Sequence, residues 1–424
     1  MIPEHDAACD ALVIGGGPAG ATAAILLAQA GWRTTVVEKK PFPRRKVCGE
    51  FVSATSWPLL AALGVAQPLL AQAGPEVRRV GLYAGTSMLA AAMPRPRDGS
   101  GDWGRALGRD VFDSVLLARA AAAGAVVLQP WTLARIVRTA GGHCCTLVAN
   151  GKPSAVAAPA LCNLRSRIVI AAHGSWEPGT MPTQTRRYPP RASDLFAFKA
   201  HFRGGKLPLG LMPLLIFPGG YGGMVQTDGD RLSLSCCIRR DALETCRRRW
   251  GSAGERARAA AAVCAHIQAS CRGACEALAG AALDGAWLSA GPIRPGIRPL
   301  WHDGIFTVGN AAGEAHPIVA EGISMAIQSA WLLCEQLAAR KDAALADDGS
   351  AVLAAIGHEY ERSWCRNFMT RIHAAALFAH LAMRPATARR LVALAKRAPA
   401  ILTLGARWSG KSQALKSLPR VDAV

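Results

Sequence analysis

The strongest constraint on the fold lies in the first forty residues, where a glycine-rich turn joins an apolar strand to an apolar helix. The apolar run Ala11 to Ile14 enters the turn Gly15 to Gly20, and the helix that follows extends to about Gln29. A second strand, Thr34 to Val37, ends at Glu38. The spacing G-x-G-x-x-G inside a strand–helix–strand unit predicts a βαβ unit that binds a dinucleotide.

The chemistry of phosphate binding explains the residue types in this turn. Gly15 permits the tight turn, Gly17 lets a pyrophosphate approach the backbone, and Gly20 lets the helix pack close to the strand. The positive end of the helix then faces the phosphates. Glu38 follows Gly20 by 18 residues, and we expect its carboxylate to bind the ribose hydroxyls of an ADP moiety. Further cofactor contacts are predicted at Pro18, Ala19 and Lys39.

Composition bounds the class of protein. The 424 residues suffice for two domains, or for a nucleotide domain with an inserted second one. A hydrophobic fraction of 51% with 18% charged residues excludes a disordered chain. The 13 cysteines are an odd number without a C-x-x-C pair, so neither a disulfide framework nor a metal site is predicted. The first residues lack the basic and apolar regions of a signal peptide, and we expect a cytoplasmic protein.

The net charge of +20 is concentrated near the C-terminus, where Arg384 to Arg420 holds nine Lys or Arg and no acidic residue. Three interpretations remain open: a solvated face, a peripheral contact with an anionic membrane, and an acidic carrier-protein partner. No nucleic-acid-binding signature accompanies the charge, so we expect no nucleic acid. The uncharged stretch Ile372 to Met383 is too short to span a bilayer.

The loop after Glu38 carries a family resemblance. A Phe-Pro-Arg segment precedes Lys46-x-Cys48-Gly49-Glu50-x-x-Ser53. This pattern resembles the geranylgeranyl reductase branch of the FAD-dependent oxidoreductases related to para-hydroxybenzoate hydroxylase, and tryptophan-type halogenases carry a similar Gly-Glu-Ser loop without the cysteine. The resemblance implies that Cys48 and Gly49 contact the flavin ring. Cys48 in a basic setting is a candidate catalytic thiolate, with a buried apolar role as the alternative.

Two further segments with family resemblance lie between the loop after Glu38 and the segment that begins at Gly304. Arg109-Asp110-x-Phe112-Asp113 is similar to the family segment whose arginine reaches FAD, and Asp110 is predicted to cap the helix there. An apolar strand ends at His173-Gly174, where the related hydroxylases have Asp-Gly. The histidine weakens any inference about a nicotinamide contact at that point.

The second anchor runs from Gly304 to Ala338. A strand delivers Gly309-Asn310-Ala311-Ala312-Gly313, and Gly322 opens a long apolar helix. This segment resembles the second FAD motif of the superfamily, Gly-Asp-Ala-Ala, with Asn310 in place of the acid. The resemblance implies that Gly309 and Asn310 face the ribityl chain and that the amides of Gly322 and Ile323 face the flavin. His316 and Glu321 are candidate catalytic proton carriers, with a structural role as the alternative.

One motif is interpreted as accidental. Gly405 to Ser412 matches the P-loop pattern G-x-x-x-x-G-K-S. A P-loop needs a buried strand before it and a helix with further sheet after it, and neither is evident in the surrounding sequence.

These observations predict an α/β fold: a Rossmann-like FAD-binding domain of the glutathione-reductase type, an inserted β-sheet substrate domain and a C-terminal helical tail. The predicted FAD domain comprises residues 1–75, 105–180 and 285–345. The substrate domain comprises residues 76–104 and 181–284, and the basic helical region residues 346–424.

The expected function is that of an FAD-dependent oxidoreductase with NAD(P)H as a transient reductant, because only one G-x-G-x-x-G is present. We favour a monooxygenase that hydroxylates a lipophilic or aromatic small molecule. A reductase of prenyl or polyene alkenes is the first alternative, favoured by Cys48-Gly49 and the tail. A halogenase of a carrier-bound substrate is the second, although a tryptophan-flanked Ile-Pro motif is not found. A flavin-binding scaffold is the non-enzymatic alternative.

Overall fold

The computed structural model describes residues 7–95, 103–150, 160–174, 181, 184, 189–250 and 256–411. Its strands are β1 (Ala7–Ile14), β2 (Thr34–Val37), β3 (Phe51–Val52), β4 (Arg79–Ala84), β5 (Ser87–Ala92), β6 (Arg105–Ala106), β7 (Val126–Leu128), β8 (Trp131–Thr139), β9 (Gly142–Ala149), β10 (Leu161–Ala171), β11 (Leu195–Arg203), β12 (Leu211–Phe217), β13 (Gly220–Gln226), β14 (Leu232–Arg239), β15 (Ala282–Ile293), β16 (Gly296–Ile297), β17 (Trp301–His302), β18 (Ile305–Thr307) and β19 (Gly313–Glu314).

The helices are α1 (Pro18–Gln29), α2 (Trp57–Ala62), α3 (Ala66–Leu70), α4 (Arg109–Ala122), α5 (Arg240–Trp250), α6 (Arg256–Ser270), α7 (Arg272–Ala277), α8 (Gly322–Ala339), α9 (Lys341–Leu345), α10 (Ser350–Met383), α11 (Pro385–Arg397) and α12 (Ala400–Ala406). Short helical turns at Gly309–Ala311, Pro317–Val319 and Arg407–Lys411 complete the elements used below.

The first sheet holds the predicted nucleotide unit at its centre. Its strand order is β17-β18-β10-β1-β2-β7, with β9 paired to β10 and β8 paired to β9. Strands β18, β10, β1, β2 and β7 run parallel. Both faces of such a parallel sheet are covered, which explains the near-continuous apolar sequence of β1. α1 packs against α8 and α4 on one face, so it is apolar all round rather than amphipathic.

The second sheet has the order β15-β11-β14-β13-β12-β4-β5 and is antiparallel except for the β4–β12 pair. Buried residues of β11, β12 and β14 form one cluster with α6 and α7 on the outer face. Ala197 and Leu214 of the opposite face line a cavity that Ile14 and Val37 of the first sheet also line. Strand β15 pairs with β11 along its length, so residues 285–293 lie in this sheet, although the boundary predicted from the sequence assigned them to the nucleotide domain. The domain boundaries stay a prediction.

α10 spans both halves of the molecule. Ile356, Tyr360 and Trp364 join the apolar cluster beside the first sheet, and Ala379 and Met383 pack against the second. α11 then packs Ala388 and Ala395 against the second sheet, and α12 contacts β4 and β5. The C-terminal helices therefore cover the junction between the sheets.

The α/β fold with an FAD-domain sheet, a second sheet and C-terminal helices confirms the predicted fold class. One local prediction is wrong. Gly108, and not Asp110, precedes the first turn of α4, and no side chain caps that helix. Asp110 lies inside the first turn, where its carboxylate still interacts favourably with the positive end of the helix dipole. No helix within the described ranges combines the length and apolarity that a bilayer crossing requires.

Candidate functional site

The glycine-rich turn has the geometry that its three glycines predict. Gly15 has a φ of +110°, and a Cβ there would lie 2.6 Å from the carbonyl oxygen of Ala172. A Cβ at Gly20 would lie 1.8 Å from the carbonyl oxygen of Gly15. At Gly17 the nearest atoms are a terminal nitrogen of Arg109 at 3.6 Å and Nζ of Lys46 at 3.7 Å. Two glycines therefore serve close packing, and Gly17 faces an open cleft edged by two cations.

Glu38 is buried at the end of β2 and organises the neighbouring loop. Its Oε2 accepts a hydrogen bond from the backbone N–H of Gly16 at 2.9 Å. Its Oε1 accepts from the backbone N–H of Lys40 and from the Arg44 guanidinium, each at 3.1 Å. The predicted contact Lys39 lies beside it and lines the same cleft. Glu38 is therefore held rigidly, at the edge of the cleft that begins at Gly17.

A buried ion network stands over Gly17. Arg109 on α4 donates two hydrogen bonds of 2.7 Å to Asp113, and Lys46 lies 3.2 Å from the same carboxylate. Burial alone lowers the pKa of Arg109, but the charge and hydrogen bonds of Asp113 raise it well above its usual value. Burial also lowers the pKa of Lys46, against the opposing pull of Asp113. Two cations sharing one carboxylate leave net positive charge that suits a pyrophosphate.

Cys48 lies next to this network, as the sequence predicts for a thiol in a basic setting. Its Sγ accepts a hydrogen bond of 3.3 Å from the backbone N–H of Glu50, and the Arg109 guanidinium lies close enough to interact with it electrostatically. Cys48 and Gly49 both line the cleft. The position is compatible with either role predicted for the thiol.

The second motif packs directly on the first. Gly309 has a φ of +60°, and a Cβ there would lie 2.9 Å from the Cβ of Ala19. Its N–H donates to Oγ of Ser329 at 2.6 Å, which fixes the turn against α8. Asn310 donates from Nδ2 to Oε1 of Glu314 at 3.1 Å. A Cβ at Gly322 would meet no atom within 4 Å, and Gly322 and Ile323 line the cavity, so the N-terminus of α8 borders open space.

Both motifs line a single cavity of about 1090 Å³ between the two sheets. Of the residues predicted for the site, Gly20 serves packing and does not reach the cavity. The others line it: Gly15, Gly17, Pro18, Ala19, Glu38, Lys39, Cys48, Gly49, Arg109, Gly309, Asn310, His316, Glu321, Gly322 and Ile323. The cleft over Gly17, the cations beside it and the open N-terminus of α8 fit the two ends of FAD.

A polar corner lies where α8 begins. Glu321 is buried, and its Oε1 accepts a hydrogen bond of 2.9 Å from Nζ of Lys411. Lys411 also donates to the carbonyl oxygen of Val319 at 2.6 Å. Oε2 of Glu321 and one terminal nitrogen of Arg371 are buried with no hydrogen-bond partner in the described residues. Both side chains line the cavity, which is therefore polar at this corner.

A second polar group faces the same end of the cavity from β13. The hydroxyl of Tyr221 and Nδ1 of His316 are hydrogen-bonded at 3.1 Å, and the His380 ring lies 5.5 Å from that of His316. Burial, and then the neighbouring His380, lower the pKa of His316 to about 4. Burial raises the pKa of Tyr221 well above its usual value. At neutral pH the pair is therefore an uncharged imidazole and a protonated phenol.

A third buried cluster joins the loop after Cys48 to the second sheet. Glu50 has a φ of +63° and no solvent exposure. Its carboxylate pairs with Nζ of Lys199 and, at 2.7 Å, with Nε2 of His201. Burial opposes ionisation, but the hydrogen bond from His201 and the charge of Lys199 lower the pKa of Glu50 to about 2. The loop is thus anchored to β11 by a buried charge.

The sequence did not identify Lys46, Arg371, Lys411, Tyr221 or the Lys199–His201 pair as site residues. Lys46 had a signal, since it stands two positions before Cys48 in the quoted motif. Lys411 and Arg371 had none, because only the folded tail brings them beside Glu321. The P-loop-like segment ends at Ser412, outside the described residues, but its lysine, Lys411, lies in the cavity wall.

Comparison with known proteins identifies the domain and the fold. Residues 8–176 match the family model of an FAD binding domain. The structure of the chondrochloren halogenase of a myxobacterium aligns with a TM-score of 0.75 and 20% identity, over 95% of this chain and 91% of that one. A geranylgeranyl bacteriochlorophyll reductase-like protein of Thermoplasma acidophilum aligns with a TM-score of 0.69 and 19% identity, over 98% and 94% of the chains.

Curated proteins match over shorter stretches. A 1H-pyrrole-2-carbonyl-(peptidyl-carrier protein) chlorinase of Pseudomonas fluorescens is 29% identical over 189 residues, which is 40% of each chain. The matches span between 10% and 40% of the length of the curated relatives. At the level of domain and fold, the predicted FAD cofactor and superfamily resemblance are confirmed.

Proposed function

We propose that this chain, which has an FAD-binding domain and the fold shared by flavin halogenases and geranylgeranyl reductase-like proteins, is an FAD-dependent monooxygenase. It hydroxylates a lipophilic or aromatic small molecule, with NAD(P)H as the transient reductant. When bound, FAD would supply the redox chemistry that links the reductant to O₂. The chain supplies the binding surface, the orientation of the substrate and the exclusion of water.

One observation carries the proposal: the cavity continues beyond the FAD motifs into a chamber with apolar walls. Met212, Leu214 and Ile216 of β12 line it from the second sheet, and Ala374 and Ala375 line it from α10. An apolar chamber selects a lipophilic substrate and keeps water from the reacting centre.

The site residues of the two motifs divide the cofactor between them in this proposal. Gly17, Lys46 and Arg109 would hold the pyrophosphate, and Glu38 would hold the ribose of the ADP half. Asn310 offers an amide to the ribityl hydroxyls in place of the acid of the family motif. The amides at Gly322 and Ile323 would turn the positive end of α8 towards the flavin, where it would stabilise negative charge.

The polar corner orients the substrate. Glu321 Oε2 is an acceptor and the terminal nitrogen of Arg371 is a donor, and both are buried without partners in the described residues. A buried polar atom without a partner is costly, so a ligand that satisfies both gains affinity and a fixed orientation. A hydroxyl group has the chemistry for either atom, because it can donate to the carboxylate oxygen and accept from the guanidinium nitrogen. We therefore propose a substrate with a hydroxylated ring at this corner and an apolar remainder in the chamber.

The test is turnover under air and under nitrogen with NADPH or NADH and a prenylated phenol as the substrate, which offers both a ring to hydroxylate and an alkene to reduce. Hydroxylation requires O₂ and consumes it together with the reductant. When the reaction is run under ¹⁸O₂, the product carries ¹⁸O. Product formed under nitrogen, with two hydrogens added and no label, contradicts the proposal and favours the reductase alternative. A flavin that NAD(P)H never reduces favours the scaffold.

Halogenation is the second candidate, because the curated relative with the longest match reported above acts on a carrier-bound pyrrole. It shares the need for O₂ and an enclosed site with hydroxylation, so oxygen dependence does not separate the two. The same reaction run with and without chloride or bromide does. A halogenated product that appears only with halide, in place of the ¹⁸O-labelled one, favours the halogenase.

A further inference from the structure

Four bulky apolar side chains of the C-terminal helices are both exposed to solvent and part of the cavity wall. These residues are here called the apolar rim: Phe378 (37% exposed), Leu394 (51%), Leu404 (52%) and Trp408 (66%). Residues that meet both conditions stand where the cavity opens to solvent. Single exposed apolar residues are common on protein surfaces, but bulky ones grouped around one opening mark a binding surface.

Positive charge flanks the apolar rim. Four exposed basic residues of α11 recur at a spacing of seven and eight residues, which puts them on one side of the helix. They are here called the basic face: Arg389, Arg390, Lys396 and Arg397. Leu391 and Leu394 of the same helix turn to the cavity, and Ala388 and Ala395 are buried against the second sheet. From Arg384 to Lys411 no acidic residue occurs. α11 is thus amphipathic with a basic polar side.

We infer that the apolar rim and the basic face together dock on the surface of an anionic lipid bilayer. Helices with a basic face and an adjoining apolar side lie in the membrane interface, where lysine and arginine meet anionic headgroups. Tryptophan is favoured at that depth because its ring is amphipathic, and Trp408 is the most exposed member of the rim. The complementarity of charge and the grouped apolar side chains carry the inference.

Docking in this orientation presses the cavity mouth against the lipid. An apolar substrate dissolved in the bilayer then enters the chamber without crossing water. This path rests on the proposed function, whereas the docking itself depends only on the surface. An acidic carrier protein would use the basic face and leave the apolar rim uncovered, so the rim favours the bilayer.

Vesicle sedimentation tests the inference on the full FAD-loaded chain without turnover. The probes are vesicles of phosphatidylcholine alone and of phosphatidylcholine with phosphatidylglycerol, at low and high sodium chloride. We expect strong binding to the mixed vesicles at low salt and weaker binding to the neutral ones. High salt reduces the first but leaves a residual apolar contribution.

Matched variants assign the binding to the surface. Leu404→Glu together with Trp408→Glu weakens binding to mixed vesicles by about tenfold or more, because charge opposes insertion. Leu209→Glu puts one glutamate at an exposed leucine in the turn before β12 and leaves binding unchanged. Arg389→Gln with Arg390→Gln weakens binding to mixed vesicles only. Intrinsic flavin absorbance and the melting temperature confirm that each variant is folded.

Three outcomes overturn the inference. The first is that the chain does not bind mixed vesicles at low salt. The second is that the Leu209→Glu variant loses as much binding as the rim variant. The third is that the chain binds an acidic acyl carrier protein through the basic face and does not bind vesicles. None of these changes the oxygen dependence of turnover, so failure here is distinguishable from failure of the proposed monooxygenase.

Discussion

At the scale of single residues, Gly17 offers a way to separate cofactor binding from folding. Unlike Gly20, it has room for a side chain, because no atom lies within 3.6 Å of its Cβ position. Gly17→Val is therefore expected to fold and to purify without FAD, since the new side chain occupies the pyrophosphate cleft. Flavin absorbance per mole of protein, with circular dichroism as the folding check, measures this.

Gly141→Val is the control for Gly17→Val. Gly141 is exposed in the turn between β8 and β9, and no atom lies within 4 Å of its Cβ position. The control retains FAD. A Gly17→Val protein that retains one FAD per chain contradicts our placement of the pyrophosphate.

Glu50 links a single carboxylate to the stability of the whole chain. Its pKa in the folded state is about 2, against an ordinary value of 4.5. The ionised form therefore stabilises the fold fully above about pH 4.5, and this contribution is lost as the pH falls towards 2. Glu50→Gln leaves Lys199 buried without its charge partner, so we expect the free energy of unfolding to fall by about 3 kcal/mol or more.

Urea unfolding of Glu50→Gln at several pH values measures both effects. The variant is expected to be less stable at pH 7, with a flatter dependence on pH below 4.5. Glu361→Gln, an exposed change on α10, stays within about 0.5 kcal/mol of the parent. Equal stability of the Glu50 and Glu361 variants would contradict a role for the buried cluster.

At the scale of elements, the βαβ unit was predictable because each residue obeys a local rule. The turn glycines, the apolar α1 and the length of β2 follow from spacing alone, and the observed bounds agree with the predicted ones within a few residues. Gly309 and Gly322 were located by their resemblance to a motif. The tail was different: alanines and leucines between basic residues predict helices but not the surface against which they pack.

The turn Arg407–Lys411 shows why the tail escaped prediction. Its contacts join residues about 90 positions apart, since Lys411 bonds to Val319 and Glu321. Local pattern carries no information about such pairs. The prediction for Asp110 was wrong for the opposite reason. Its side-chain type indicated a helix cap, but Gly108 occupies the N-cap position of α4.

Lys411 fastens the tail to the start of α8, which gives an element-scale prediction. Lys411→Met removes both of its hydrogen bonds and leaves the Glu321 carboxylate without this cation. We expect faster amide hydrogen exchange across α12 and the turn Arg407–Lys411, because this segment then opens locally. Mass spectrometry of the exchanged peptides measures it.

Lys396→Met provides the comparison for Lys411→Met, since Lys396 is an exposed lysine of the neighbouring helix α11. Exchange in α12 stays at the parent rate in this variant. If Lys411→Met also leaves α12 unchanged, the tail is held by its apolar contacts with β4 and β5 and not by the buried ion pair.

At the scale of the whole molecule, FAD is expected to couple distant parts of the chain. The turn at Gly15 and the segment at Gly309 lie 294 residues apart in the sequence but line one cavity. Added FAD should therefore slow hydrogen exchange in both segments together and raise the melting temperature. At about 100 times the dissociation constant the stabilisation is about 2.7 kcal/mol.

The Gly17→Val protein serves again as the reference for this coupling. FAD added to it should change neither the exchange of the two segments nor the melting temperature. Protection confined to residues 15–20 in the parent protein would show that the segment at Gly309 does not reach the cofactor.

The continuous α10 has a consequence for engineering. One 34-residue helix packs into both apolar cores, so we expect the two sheets to move as one rigid unit. The segment that follows Met383 packs against this unit from outside. A chimaera that grafts the stretch corresponding to 384–406 from another such flavoprotein would change the cover of the cavity, and would keep Lys411, its pairing with Glu321 and both FAD motifs.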